Sequence, residues 1–126
     1  MDNKEITVLM VEPEKHPKVT TLATDLDSLQ KAVSIGADYQ GLIEIISIGN
    51  GDCLLCNEEG KLIGLEGNRR LGDDIIVGVF YIMSEDEDGN LVSLSEQKIR
   101  HYMKRFWEPE TFDQAEIEAS MLFRFF

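Results

Sequence analysis

Two adjacent guanidinium groups, Arg69 and Arg70, follow Asn68 in the segment Gly67-Asn68-Arg69-Arg70-Leu71-Gly72-Asp73-Asp74, and they are the first candidates for binding chemistry in the chain. A guanidinium presents a planar fork of donors that holds a carboxylate or phosphate bidentately. A polar connection flanked by glycines leaves backbone donors beside it, and Tyr81, in the apolar run that follows, adds a phenol to the same candidate ligand site. The competing reading is internal: Arg69 or Arg70 pairs with Asp73 or Asp74, a common fate of mixed charge clusters. There is no nucleophile–base arrangement, no G-x-G-x-x-G and no phosphate loop, so no catalytic residue is assigned.

The remaining reactive side chains point to bland roles. Cys53 and Cys56 form a lone C-x-x-C. On a strand these sulfurs face opposite ways, and a metal would need two further ligands from His16, His101 or scattered acids. They are expected to be structural thiols, with no metal and no cofactor. His16 sits in the Pro-bearing loop EPEKHPK and His101 in a helix, both without a patterned partner. The pair Glu58-Glu59 falls at a turn tip where nothing buries either carboxyl, and the acids Glu85 to Asp88 lack the ligand spacing of a calcium loop.

These side chains need a frame. A chain of 126 residues fits one domain and buries roughly two-thirds of its unfolded surface. Hydrophobic residues at 43% and charged residues at 29% are ordinary globular values, whereas 24 acidic against 12 basic side chains give a net charge of −12. That charge repels phosphate backbones, so direct nucleic-acid binding is not expected. No apolar run approaches the roughly 18 residues of a membrane span, and the first fifteen residues do not read as a signal peptide, so a cytoplasmic location is the expectation.

Ile6 to Val11 and Lys18 to Leu22 read as a hairpin around the prolines at 13 and 17. Thr24 or Asp25 can cap a helix over 26–35, stopped by Gly36. Leu42 to Ile48 and Cys53 to Cys56 form a second hairpin across Gly49-Asn50-Gly51-Asp52. Asn57-Glu58-Glu59-Gly60 fits a type I turn with a left-handed glycine, which makes Leu54 to Cys56 and Lys61 to Leu65 antiparallel neighbours. Ile75 to Met83 is apolar almost throughout and reads as the central strand, with Gly78 marking a bulge or a close approach.

Ser95 caps a helix EQKIRHYMKRF with Ile99, Tyr102, Met103 and Phe106 on one face and Lys98, Arg100, Lys104 and Arg105 around the other, the one basic surface on an acidic chain. Its basic side either complements the protein's own acids or contacts a partner. Thr111 with Gln114 resembles a capping box opening a last helix, and the chain finishes in Met121, Leu122, Phe123, Phe125 and Phe126, an end apolar enough to dock on the domain or join a second copy. The architecture expected is α+β, one domain over 1–126 with a mostly antiparallel sheet of about five strands and helices packed against it.

The segments VEPEKHP, CNEEGKLIGLEGNR, DIIVGVFYI and SLSEQKIRHYMKRFWEP resemble a family of small proteins of unknown function carried on conjugative elements, plasmids and phages of Gram-positive bacteria, over about residues 6 to 109. The resemblance implies a mobile-element origin and a cytoplasmic location. It includes Asn68 and Arg69 without giving them a role. Three functions follow in order of preference: a non-enzymatic module binding a host or element-encoded protein, an acidic mimic of nucleic acid that occupies a defence or DNA-processing protein, and a small nucleotide- or anion-binding protein or enzyme.

Overall fold

The computed structural model describes residues 4–124, with side chains through Leu122. Strands β1 (Glu5–Val11) and β2 (Lys18–Ala23) pair as the expected hairpin, with Leu9 opposite Val19. Helix α1 (Leu26–Ala32) follows, and β3 (Ile43–Gly49) with β4 (Asp52–Asn57) makes the second hairpin. The chain continues through β5 (Gly67–Leu71), β6 (Asp74–Val77), β7 (Phe80–Glu85), β8 (Leu91–Val92), α2 (Glu96–Arg105) and α3 (Gln114–Arg124). The fold is α+β and its main sheet is antiparallel throughout, in the order β2-β1-β7-β4-β3 with β8 added beside β7.

The period of two along each strand sorts side chains onto two faces. Ile6, Val8, Leu55, Tyr81 and Met83 point to the face covered by Leu29 and Val33 of the α1 segment. Leu9, Leu54, Phe80 and Ile82 point to the other, covered by Tyr102 and Phe106 of α2 and by Ile76 of β6. Cys53 lies on the first face and Cys56 on the second, both buried, so the C-x-x-C sulfurs do point apart. Asp25 caps α1, accepting from the Ser28 amide at 3.0 Å; the helix is shorter than expected because Val33 already serves as its C-cap. Ser95 caps α2, with Leu94 and Ile99 in the same buried cluster.

Three expectations need correcting. The run Ile75 to Met83 is not one strand: Gly78 takes φ +71° and breaks it into β6, which leaves the main sheet, and β7, which is its centre. Gly67 to Asp74 is not a loop but β5 and the turn into β6, a separate two-stranded sheet with Arg70 opposite Ile75. Lys61 to Leu65 does not pair with β4, both of whose edges are taken by β3 and β7; residues 58–64 wind into consecutive turns instead, with Ile63 N donating to Glu59 O and Leu65 N to Gly60 O. Gly60 is there because a Cβ would lie 2.8 Å from Val77 Cγ2, not because its backbone is left-handed.

Helix α3 packs Ile117 against Ile75, Val77 and Leu65, so the small sheet is a layer between the main sheet and α3. Its cap is Asp113 rather than Thr111: Asp113 and Glu116 exchange amide and carboxylate hydrogen bonds at 2.8 and 3.2 Å. Of the apolar end, Met121 is half-buried and Leu122 is exposed, while the side chains of Phe123, Phe125 and Phe126 lie outside the described residues. Among the described residues no helix is long and apolar enough to cross a membrane.

Candidate functional site

The pairing of β5 with β6 shifts register between Gly67 and Arg69, and at this irregularity two consecutive polar side chains, Asn68 and Arg69, are both buried where strict alternation would turn one of them outward. Asn68 is fully buried; its Nδ2 donates to Val11 O at 2.9 Å and Gly78 O at 2.8 Å, bridging the end of β1 to the break between β6 and β7. Its Oδ1 accepts from Arg69 Nη1 at 2.7 Å.

Arg69 is 1% exposed and makes no ion pair with Asp73 or Asp74. Its guanidinium donates to Phe106 O at the end of α2 (3.0 Å), to Lys15 O in the β1–β2 loop (2.7 Å) and to Asn68 O (3.2 Å). Burial pulls its pKa down from the ordinary value, against the opposing pull of nearby Glu110. An arginine remains charged under such a shift, so the carbonyl dipoles supply the compensation that a carboxylate usually gives. The fork of donors is directed at the protein's own backbone, joining three segments distant in sequence.

Arg70 alternates outward. It is half-exposed, pairs with Glu116 of α3 at 3.4 Å, and lies 5.3 Å from the centre of the Phe112 ring. Asp74 pairs with Lys61. The internal salt bridge expected among residues 69 to 74 is therefore replaced by two pairs reaching out of that segment. Tyr81 lies on the opposite face of the main sheet, its hydroxyl donating to Ala32 O at 2.9 Å; burial, with Glu12 adding to it, pushes its pKa up to about 12. Asn68 and Arg69 thus form one node, Arg70 faces solvent beside it, and Tyr81 belongs elsewhere.

A second polar node was hidden in a turn. Asp52 is 2% exposed at the start of β4, and its carboxylate accepts from Tyr102 at 2.6 Å, Ser84 at 2.7 Å and Lys98 at 2.7 Å. Burial pushes its pKa up, but the hydrogen bonds from Lys98, Tyr102 and Ser84 outweigh this and hold it below the usual carboxylate range. Burial and the bond to Asp52 push Tyr102 up to about 12. Lys98, one of the four cations on α2, is consumed here; it also donates to Asn50 O at 2.9 Å. The position of Asp52 between a glycine turn and the apolar Cys53 to Cys56 was the available signal for a buried carboxylate.

The outward side of α2 stays open. A shallow groove of about 560 Å³ is lined by Ile99, Arg100, Met103, Lys104, Trp107 and Glu108. Trp107 is 43% exposed, and its ring stacks on His16 at 4.0 Å and 9°. His16 donates from Nδ1 to Trp107 O at 2.6 Å, so the proton sits on Nδ1, because a carbonyl can only accept. The loop histidine is thus a prop for the tryptophan. Arg100 reaches Glu96 only at 3.9 Å, both side chains mostly exposed, and Lys104 has no ion-pair partner among the described residues.

Arg69 and His16 converge on the same place: one holds the carbonyl of Phe106, the other the carbonyl and ring of Trp107. The polar node inside the fold therefore fixes the end of α2 from which the exposed aromatic projects. No curated protein and no solved structure matches the chain. A family model described as a domain of unknown function, DUF3846, matches residues 6–107, which takes in both nodes and all of the groove lining except Glu108, and leaves α3 outside. The chain belongs to the DUF3846 family.

Proposed function

We propose that this protein is a non-enzymatic interaction module that holds an acidic, amphipathic segment of a partner protein in the α2 groove. The observation that carries the reading is Trp107, 43% exposed and propped by His16, above an apolar floor of Ile99 and Met103 with Arg100 and Lys104 at the rim. Exposed aromatics seated among cations are the usual anchors of protein interfaces, and helix-like partners enter grooves of this kind by their apolar face. Screening confines the general repulsion of a −12 chain to within about 10 Å of its acids, so the local sign is set by the groove's own lining, where Arg100 and Lys104 outweigh the single acid Glu108. Of the residues singled out in the sequence, Asn68 and Arg69 serve this surface by holding the α2 end, Arg70 offers a further exposed cation, and Tyr81 braces α1. The resemblance of CNEEGKLIGLEGNR and its flanking segments supports a place among the cytoplasmic accessory proteins of mobile genetic elements.

Trp107 is the sole tryptophan of the chain, so its emission reports on the groove directly. The test titrates the protein with a synthetic helical peptide of alternating Glu and Leu/Phe turns, a scrambled peptide of equal charge, and a basic counterpart. A saturable emission shift with the first alone is expected, weakened about tenfold in Arg100→Glu/Lys104→Glu and by raised salt. Equal binding of the basic peptide, or indifference to the charge reversal, refutes the reading.

A further inference from the structure

A second concavity, separate from the α2 groove, opens between the end of β4, the turns at 58–65, β6 and α3, with a volume of about 430 Å³. Its floor is hydrophobic: Ile75, Ile76 and Val77 contribute, each no more than 4% exposed. Leu42 and Leu62 stand at its edge, 52% and 73% exposed, and extend the apolar lining toward solvent. This volume and an apolar floor with few polar groups are what small-molecule sites present.

The charges at this cleft have one sign to offer. Lys61 lines it with its side chain 92% buried, but its ammonium is already matched by Asp74, whose Oδ1 also accepts from Ile75 N. Glu58 and Glu59 line it too, and among the described residues neither has an ion-pair partner. An anion entering here meets two uncompensated carboxylates; a cation meets two acceptors, on a chain of net charge −12 that draws cations from a distance.

The backbone that carries the two glutamates is held in place. Glu58 N donates to Leu42 O at 2.9 Å and Glu59 N to Asn57 Oδ1 at 2.8 Å, while Asn57 Nδ2 donates to Val33 O at 3.3 Å. Gly60, pressed on Val77, fixes the turn against the cleft floor. A turn whose backbone is already ordered leaves only side-chain freedom to be lost on capture.

We propose that this cleft binds a small organic cation: a primary ammonium group on a hydrocarbon body, the ammonium donating to Glu58 and Glu59 and the hydrocarbon lying on Ile75 and Val77 against Leu62. Nucleotides and other polyanions are excluded by the same carboxylates.

The test is calorimetric titration of the full chain in phosphate buffer at neutral pH with hexylamine, with hexanol and hexanoate as neutral and anionic controls. Saturable binding of hexylammonium is expected, tighter than hexanol and without detectable hexanoate binding. Affinity rises about fourfold per methylene from butylamine to hexylamine. Glu58→Gln/Glu59→Gln, at an exposed and a half-buried turn position whose carboxylates make no ion pair among the described residues, keeps the native melting curve and weakens the amine about tenfold. Leu62→Ala flattens the dependence on chain length. Arg100→Glu/Lys104→Glu leaves amine binding unchanged, which separates this site from the α2 groove. The proposal is overturned if hexanoate binds as tightly as hexylamine, if the folded double glutamine variant binds the amine unchanged, or if no saturation is reached with any amine of the series.

Discussion

Arg69→Met and Arg70→Met, neighbours in sequence, should behave oppositely. In Arg69→Met four hydrogen bonds are lost, to Phe106 O, Lys15 O, Asn68 O and Asn68 Oδ1. Lys15 is exposed and its carbonyl regains water, but Phe106 is 3% and Asn68 is 0% exposed. A buried acceptor left without its donor costs about 1–3 kcal/mol, so Phe106 O and Asn68 Oδ1 together account for about 2–6 kcal/mol. Methionine keeps the stem packing, and removing a buried charge returns part of its desolvation cost. The net expectation is a loss of about 3 kcal/mol, against a total of about 5–15 kcal/mol for a domain. In urea at 25 °C this moves the unfolding midpoint down by about 1–3 M with the slope unchanged. Arg70→Met removes a pair with Glu116 that is half-exposed on both sides, and shifts stability by no more than about 0.5 kcal/mol. If Arg69→Met unfolds within about 0.3 M of the wild type, the guanidinium is not the clamp described, and the reasoning that assigned it to α2 fails with it.

Gly78→Ala combines φ +71° with a Cβ only 2.8 Å from Leu65 Cδ1 and should cost about 2–4 kcal/mol, whereas Gly72→Ala, at φ +60° with nothing within 4 Å, should cost about 1 kcal/mol; paired thermal melts check the difference. Because the folded state holds the Asp52 carboxyl below its ordinary pKa, the stability it contributes is present above the unfolded carboxylate range and is lost as pH falls through the lower folded value. Asp52→Asn should therefore be less stable at neutral pH, and its unfolding midpoint should fall less steeply than that of the wild type between about pH 4 and pH 2, measured by urea melts across that range.

Much of the frame was legible because it rests on local rules. Apolar, strand-forming runs bounded by prolines and a glycine turn marked β1 to β4, Asp25 and Ser95 announced two helices, and Gly78 was marked as special. What escaped were places where tertiary context overrides local preference. Asn68 and Arg69 read as loop residues because a polar pair is seldom buried; here backbone carbonyls from β1, the β1–β2 loop and α2 satisfy them, and those partners are remote in sequence. The turn at Asn57 to Gly60 offered hairpin chemistry, but β4 had no open edge left. Asp52 was hidden by its glycine neighbours. Of the candidate site, the basic face of α2 was visible from periodicity, while the prop that exposes Trp107 depends on His16 from across the fold.

The place of β7 in the sheet has a consequence for how the chain comes into being. The two hairpins β1–β2 and β3–β4 are made of near neighbours, which cost little loop entropy to close, but in the sheet they meet only through β7, with Leu9 and Leu54 both opposite Ile82. Until that segment has left the ribosome, β1 and β4 each present an unpaired row of amide and carbonyl groups, and β4 is a strand whose every residue is destined for burial. Closing such a seam requires long-range docking, the slow kind of folding step. A chain broken off before Phe80 is therefore not a smaller version of this protein but a pair of adhesive hairpins, and quality control of the nascent chain matters most in the interval before the last central strand arrives.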